Sequence, residues 1–212
     1  MGSTPYDAVL VLSFGGPEGP ADVLPFLENV TRGRNVPPER VREVAEHYTA
    51  FGGVSPINAQ NRTLVRALEA ELALHGPALP VYLGNRNWHP FVADTVRRMQ
   101  EDGVRRALAF VTSAFSSYSG CRQYREDLTR AMAAASSGAP EIDKLRVYYN
   151  HPGFVQANAE HLRTALGGLP ARRRVAARVV FTAHSIPVGM ARRCDYEAQL
   201  AEASDLVAGT AG

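Results

Sequence analysis

Long apolar runs are missing from this 212-residue sequence. No stretch reaches the roughly 18 consecutive apolar residues of a membrane-spanning helix, so no transmembrane segment is expected. The opening MGSTPYDAVLVLSFGG has neither a basic n-region nor a small-residue cleavage site, and a signal peptide is not expected either. Cysteine is scarce. Cys121 and Cys194 are the two present, too few for a disulfide framework and without the CxxC spacing of a zinc or thiol-redox site. Strong charge is absent as well: a formal net charge of +2 is too small for a general nucleic-acid binder. The one basic run, RRR at 172–174, reads as a solvated loop. Internal repeats and low-complexity segments are lacking. These absences point to a soluble cytoplasmic protein that binds no nucleic acid.

What is present suits a packed core, with 45% apolar and 21% charged residues. The length allows one large domain or one and a half small ones. Short β-rich runs alternate with helical patterns. Ala8–Phe14, Pro80–Leu83, Arg106–Thr112, Leu145–Tyr149 and Ala177–Ala183 are the strand candidates, too continuously apolar for half-exposed strands. Helices are expected from Ser55-Pro56 to Gly76 and from Pro90 to Gly103. Further ones are expected over 122–135, over 152–166, and over 195–208 with a stop at Gly209. This alternation predicts an α/β fold with a parallel sheet flanked by helices. GGLPARRR is the best linker candidate, so a second domain is expected from about residue 175.

Ligands of open parallel sheets bind outside the carboxyl ends of the strands. The residues there are Ser13–Gly16, then Asn85–Trp88, then Ser113 and Phe115–Tyr118, then His184 and Ser185. This rim is aromatic and neutral-polar, with one arginine and no carboxylate cluster, and suits a flat, largely apolar ligand. The glycines of SFGGPEGP do not read as a phosphate cradle. Pro17 lacks an N–H and Glu18 would stand beside the anion, whereas a tight strand-to-helix turn accounts for them. His184 is the sharpest single residue. A histidine at a strand end is often tied to backbone, but the loop tip at the sheet's carboxyl edge, with Pro187 fixing the exit, favours chemistry. The other five histidines lie in or beside helices, where capping and surface roles are the default.

Together the segments VLVLSFGGPEG, ENVTRGR, HYTAFGGVSPIN, YLGNRNWHPF, VTSAFSSYSGCRQY, YYNHPGF and VVFTAHSIP make the chain resemble the ferrochelatases. The likeness is greatest to the coproporphyrin III ferrochelatases of actinobacterial type. The resemblance implies a Rossmann-like, chelatase-type sheet over residues 1–170 and the start of a second similar domain over 175–212, with the porphyrin held in a cleft. It implies a lyase of heme biosynthesis that inserts Fe(II), as substrate, into coproporphyrin III to give coproheme. The reaction needs a base near the ring centre, a desolvated slot that bends the ring, and anchors for the propionates.

Residue by residue, the resemblance makes His184 the proton acceptor or metal ligand at the ring face. Tyr118 matches the opposite wall, with Phe115 beside it. Phe14 stands where some relatives carry a tyrosine. Arg32, Tyr48, Ser55 and Tyr124 match the propionate side, where a guanidinium and hydroxyls bind carboxylates. His47 replaces an arginine that some relatives have before Tyr48. The match is to the N-terminal two-thirds of the family; the part beyond supplies a glutamate facing the cleft, further strands and a closing helix. Some actinobacterial members hold a [2Fe–2S] cluster, which needs four thiolates, so one is expected only in a longer chain. The full-length protein is expected to be a monomer. Two other readings stand beside this one: a porphyrin-binding module without turnover, and a flavodoxin-like nucleotide binder argued from the fold alone.

Overall fold

A computed structural model describes residues 5–135 and 137–212. The chain forms two compact units. One comprises the described residues up to Thr112 together with Tyr124–Leu145, and the other comprises Ser113–Gln123 and Arg146–Gly212.

The first unit is an α/β layer structure. Its strands are β1 (Ala8–Ser13), β2 (Val81–Asn85), β3 (Arg106–Val111) and β4 (Glu141–Lys144), all parallel in the order β2-β1-β3-β4. Its helices are α1 (Val23–Thr31), α2 (Pro38–Ala50), α3 (Ile57–His75), α4 (Val92–Glu101) and α5 (Tyr124–Ala134). The expected parallel α/β architecture is therefore what forms. AVLVLS occupies the centre because an inner parallel strand needs apolar side chains on both faces. Leu10 and Leu12 point to one face, where Val96 and Met99 of α4 and Leu128 and Ala131 of α5 cover them. A separate cluster is built by Val23, Phe26 and Leu27 of α1, with Val41, Val44 and Tyr48 of α2 and with Trp88.

The fourth strand differs from expectation. It is EIDK at 141–144, not Leu145–Tyr149. An edge strand is covered on fewer sides and tolerates charge when the charge is paired. Here Arg106 donates to Asp143 at 2.6 Å and stands 3.7 Å from Glu141, and the Tyr6 hydroxyl donates to Asp143 at 3.1 Å. The ladder ends with Leu145 N–H on the Ala109 carbonyl.

In the second unit a π-helical turn spans Tyr118–Gln123. The helices are α6 (Pro152–Gly167), α7 (Ala171–Arg174), α8 (Val188–Ala191) and α9 (Tyr196–Ala211). His151 caps α6, its Nδ1 accepting from Gly153 N–H at 3.2 Å. Val155 and Ala159 of α6 pack on Val207 of α9. Contrary to the expected stop at Gly209, α9 runs on to Ala211. Its last turn is held by Arg163, whose guanidinium donates to the Thr210 and Ala211 carbonyls. Such a tertiary hold outweighs the roughly 1 kcal/mol that glycine costs inside a helix.

Ala177–Ala183 is not a strand. The segment is irregular, with Val180 77% and Phe181 46% exposed. An apolar, β-branched run becomes a strand only when a neighbour supplies the other half of the ladder, and the described residues of this unit contain no second strand. Amide hydrogen exchange should therefore be fast over 176–187 and slow over β1 and β3, with α9 between them. Equal protection of 176–187 and β1 in a monomer would mean that the segment has a ladder partner.

Candidate active site

The carboxyl ends of β1 and β2 carry candidate residues of the first unit. Leaving β1, the chain turns at Gly15 with φ +77°, where a Cβ would lie 2.9 Å from the Asn85 Cβ. At Gly16 a Cβ would lie 2.6 Å from the Ser55 Cβ. The chain does turn tightly here, and close approach of the backbone to Asn85 and Ser55 is what requires glycine at both positions. Glu18 is engaged by Arg62 at 2.7 Å.

Buried asparagines lock this turn. Asn58 Nδ2 donates to the Gly16 carbonyl at 2.9 Å, Asn85 Nδ2 to the His89 carbonyl at 3.0 Å, and Asn87 Nδ2 to the Phe14 carbonyl at 3.2 Å. Asn29 reaches the Asn87 carbonyl at 3.2 Å and accepts from Arg32 Nη2 at 2.6 Å. One hydrogen-bonded path therefore runs from the exposed Arg32 to the backbone of Phe14. Such side chains stay buried because they satisfy otherwise orphaned loop carbonyls. Sequence reasoning missed them. The asparagine-rich SPINAQN and GNRN were the available signal, but which carbonyls they would meet depends on non-local folding.

Phe14 and Tyr48 come together on Phe26, with ring centroids at 6.1 and 5.8 Å, and Trp88 joins them at 6.3 Å. Phe14 is 38% exposed and presents an apolar face at the strand's end. Burial raises the Tyr48 phenol above its ordinary pKa. Ser55 donates its N–H to the Pro17 carbonyl at 2.8 Å and so lies against the same turn.

Tyr124 stands apart from that group. It is 5% exposed and lies under the Arg86 guanidinium, 3.8 Å from the ring centroid. Burial pushes its phenol up to about 12, so it stays protonated at physiological pH. Arg86, the one arginine of the rim, is itself buried. Its Nε donates to Asp127 at 2.5 Å, and Arg130 holds the other carboxylate oxygen. Its backbone N–H donates to the Ser13 carbonyl at 3.0 Å.

In the second unit, His184 is exposed and its Nδ1 lies 2.6 Å from the Ser185 carbonyl. A carbonyl only accepts, so Nδ1 carries the hydrogen. The neutral ring then offers its lone pair at Nε2, the atom of a base or metal ligand. Tyr196 donates to the His184 carbonyl at 3.0 Å. Phe115 sits edge-on to Tyr196, with centroids 6.1 Å apart, and stacks on Tyr149 at 6.2 Å. Phe115, Phe181, His184, Tyr196 and Leu200 are among the residues lining a cavity of about 470 Å³. Tyr118, 42% exposed, lines a different cavity of about 790 Å³ together with Cys121, Met190 and Cys194. His184 and Phe115 are thus brought together, whereas Tyr118 belongs to a neighbouring hollow of the same unit. Tyr196 was another residue that the sequence did not single out.

The sequence profile of the ferrochelatase family matches residues 6–212. The chain belongs to the ferrochelatase family. A protein described as ferrochelatase from Rhodopirellula baltica is 57% identical over 211 residues, covering 98% of this chain and 59% of that protein. The coproporphyrin III ferrochelatase of Mycolicibacterium vanbaalenii is 58% identical over 209 residues, covering 97% and 62%. That of Streptomyces coelicolor is 58% identical over 194 residues, covering 90% and 52%. The chain therefore spans between 52% and 62% of the length of these curated relatives.

A [2Fe–2S] cluster does not fit this chain by itself. Cys194 Sγ donates to the Met190 carbonyl at 3.3 Å, and the described residues hold no group of three or more potential metal ligands. Two thiols are half of a Cys₄ set. No described helix is long and apolar enough to cross a membrane.

Proposed function

We propose that the protein containing this chain inserts Fe(II) into coproporphyrin III in the cytoplasm, as a monomer, giving coproheme. The observation that carries the proposal is 57–58% identity across 97–98% of the chain to ferrochelatases, including those named for coproporphyrin III. The reaction is an exchange without redox change. Two pyrrole N–H bonds break heterolytically, their electron pairs pass to the iron, and two protons leave. His184 Nε2 takes a proton or meets the incoming metal. Phe14, Phe115 and Tyr118 offer apolar and aromatic faces to the macrocycle. Arg32, Tyr48 and Ser55 serve the propionates, and Tyr124, which stands apart from them, acts by supporting Arg86 from beneath. The second Rossmann-like domain that the family resemblance implies from residue 175 is part of this proposal.

Charge-assisted contacts to a carboxylate contribute on the order of 1.5–3 kcal/mol. Arg32→Ala should therefore raise KM for the porphyrin about tenfold or more with kcat little changed, because the contact is equally present before and during metal entry. Steady-state kinetics under anaerobic conditions checks this, and an unchanged KM moves the propionates elsewhere. A higher kcat/KM for coproporphyrin III than for protoporphyrin IX supports the substrate assignment, and the reverse order overturns it. The second reading, a porphyrin-binding module without turnover, is favoured by one observation: the segment carrying His184 is exposed and without a ladder. Saturable porphyrin binding with no metalation would establish it.

A further inference from the structure

Asn29 stands between the exposed Arg32 and the turn that carries Phe14. It follows Phe26 by three positions on α1, so the two side chains share one helix face. Phe26 packs against Phe14, with centroids 6.1 Å apart, and Asn29 is thereby aimed at the same turn. Its amide has one workable orientation. The Asn87 carbonyl can only accept, so the Nδ2 group lies on it, at 3.2 Å. The guanidinium can only donate, so Oδ1 faces Arg32 Nη2, at 2.6 Å. The far end is firmly anchored. Asn87 is 5% exposed and grips the Phe14 carbonyl twice, through its backbone N–H at 3.1 Å and its Nδ2 at 3.2 Å. Asn29 is therefore braced against the turn, and the end it presents to Arg32 is an acceptor.

That acceptor is uncharged. The guanidinia of Arg62, Arg86, Arg97 and Arg106 are each met by a carboxylate. A carboxylate in the place of the Asn29 amide would hold Arg32 equally well, but it would cancel the charge that a ligand carboxylate needs. The amide holds the guanidinium and leaves its charge uncompensated. A free arginine side chain must give up much of its rotamer freedom before it can grip a carboxylate. Asn29 removes part of that freedom in advance. One N–H of the guanidinium goes to Asn29, and the others remain for a ligand.

On the reading of Arg32 as a propionate anchor, we propose that Asn29 is a positioning residue for it. Asn29 presets the guanidinium for a propionate carboxylate and ties it, through Asn87, to the turn that carries Phe14. A carboxylate bound at Arg32 and a ring lying on Phe14 then keep a set spacing.

The test uses the complete protein, anaerobic steady-state kinetics with coproporphyrin III, and NMR of the Arg32 side chain in the ligand-free state. Ordering one long side chain before binding is equivalent to a factor of about 2–10 in affinity. Asn29→Ala should raise KM by that factor with kcat little changed. Asn29→Asp should raise it further, towards the value of Arg32→Ala. Both variants lose the hydrogen bond to Asn87, so the difference between them isolates the charge placed beside Arg32. Neither should add to the effect of Arg32→Ala in a double variant, whereas a merely structural loss at the end of α1 would add. The Arg32 Nη–H signals should be resolved and slowly exchanging in the starting protein and should collapse in Asn29→Ala, which reads the hold without any porphyrin. Unchanged Arg32 signals in Asn29→Ala would overturn the proposal, as would full additivity with Arg32→Ala, or a lower KM in Asn29→Asp than in Asn29→Ala. A raised KM in Arg32→Ala with an unchanged one in Asn29→Ala would overturn the proposal and leave the propionate role of Arg32 standing. An unchanged KM in Arg32→Ala would remove that role and the proposal with it.

Discussion

His184→Ala in the complete protein should abolish metal insertion while leaving porphyrin affinity within a few-fold of its starting value. General acid–base groups contribute roughly 10²–10⁴-fold, and His184 is the imidazole we propose for this role. Its Nδ1 is committed to the Ser185 carbonyl at 2.6 Å, which leaves the lone pair of the neutral ring at Nε2. The Tyr196 hydroxyl fixes the same residue through its carbonyl at 3.0 Å. Removing the ring deletes the proposed proton acceptor or metal ligand but no large apolar contact, so binding and chemistry should separate. Porphyrin fluorescence quenching reads the first and anaerobic metalation the second. Near-normal turnover would mean that the imidazole is neither base nor ligand.

Asp127→Ala should be the most damaging substitution for the first unit. The Arg86 and Asp127 side chains are each 8% exposed, so the guanidinium would be left buried beside Tyr124 without its carboxylate. Breaking a buried pair from one side costs about 3–5 kcal/mol, which for a chain of this size lowers Tm by roughly 6–20 °C. The double variant Arg86→Met with Asp127→Leu, which removes both charges and keeps apolar bulk, should recover most of the loss. The effect should also reach the site, because Arg86 N–H holds the Ser13 carbonyl and Asn87 holds that of Phe14. A loss below about 1 kcal/mol in urea unfolding would indicate that Arg86 finds water when unpaired.

The inner strands were legible because a strand covered on both faces must be continuously apolar, as Ala8–Ser13 and Arg106–Val111 largely are. EIDK was not, since its charges are tolerable only through Arg106 and Tyr6, distant in sequence. Ala177–Ala183 has a strand's composition without a strand's partner, and composition carries no information about partners. His184 could be located from its place after an apolar run. The asparagine path from Arg32 to Phe14 could not, because each amide serves a carbonyl that folding alone brings near. Arg86 stood on the rim in the sequence, yet its charge is spent on Asp127, 41 residues away.

The most direct measurement is a single-turnover absorbance scan of the complete protein with coproporphyrin III and Fe(II) under anaerobic conditions. The account predicts that the visible bands of the free-base porphyrin give way to the metalloporphyrin pattern, in step with proton release and in proportion to enzyme. A bound porphyrin that keeps its free-base bands in the presence of excess Fe(II) would contradict it.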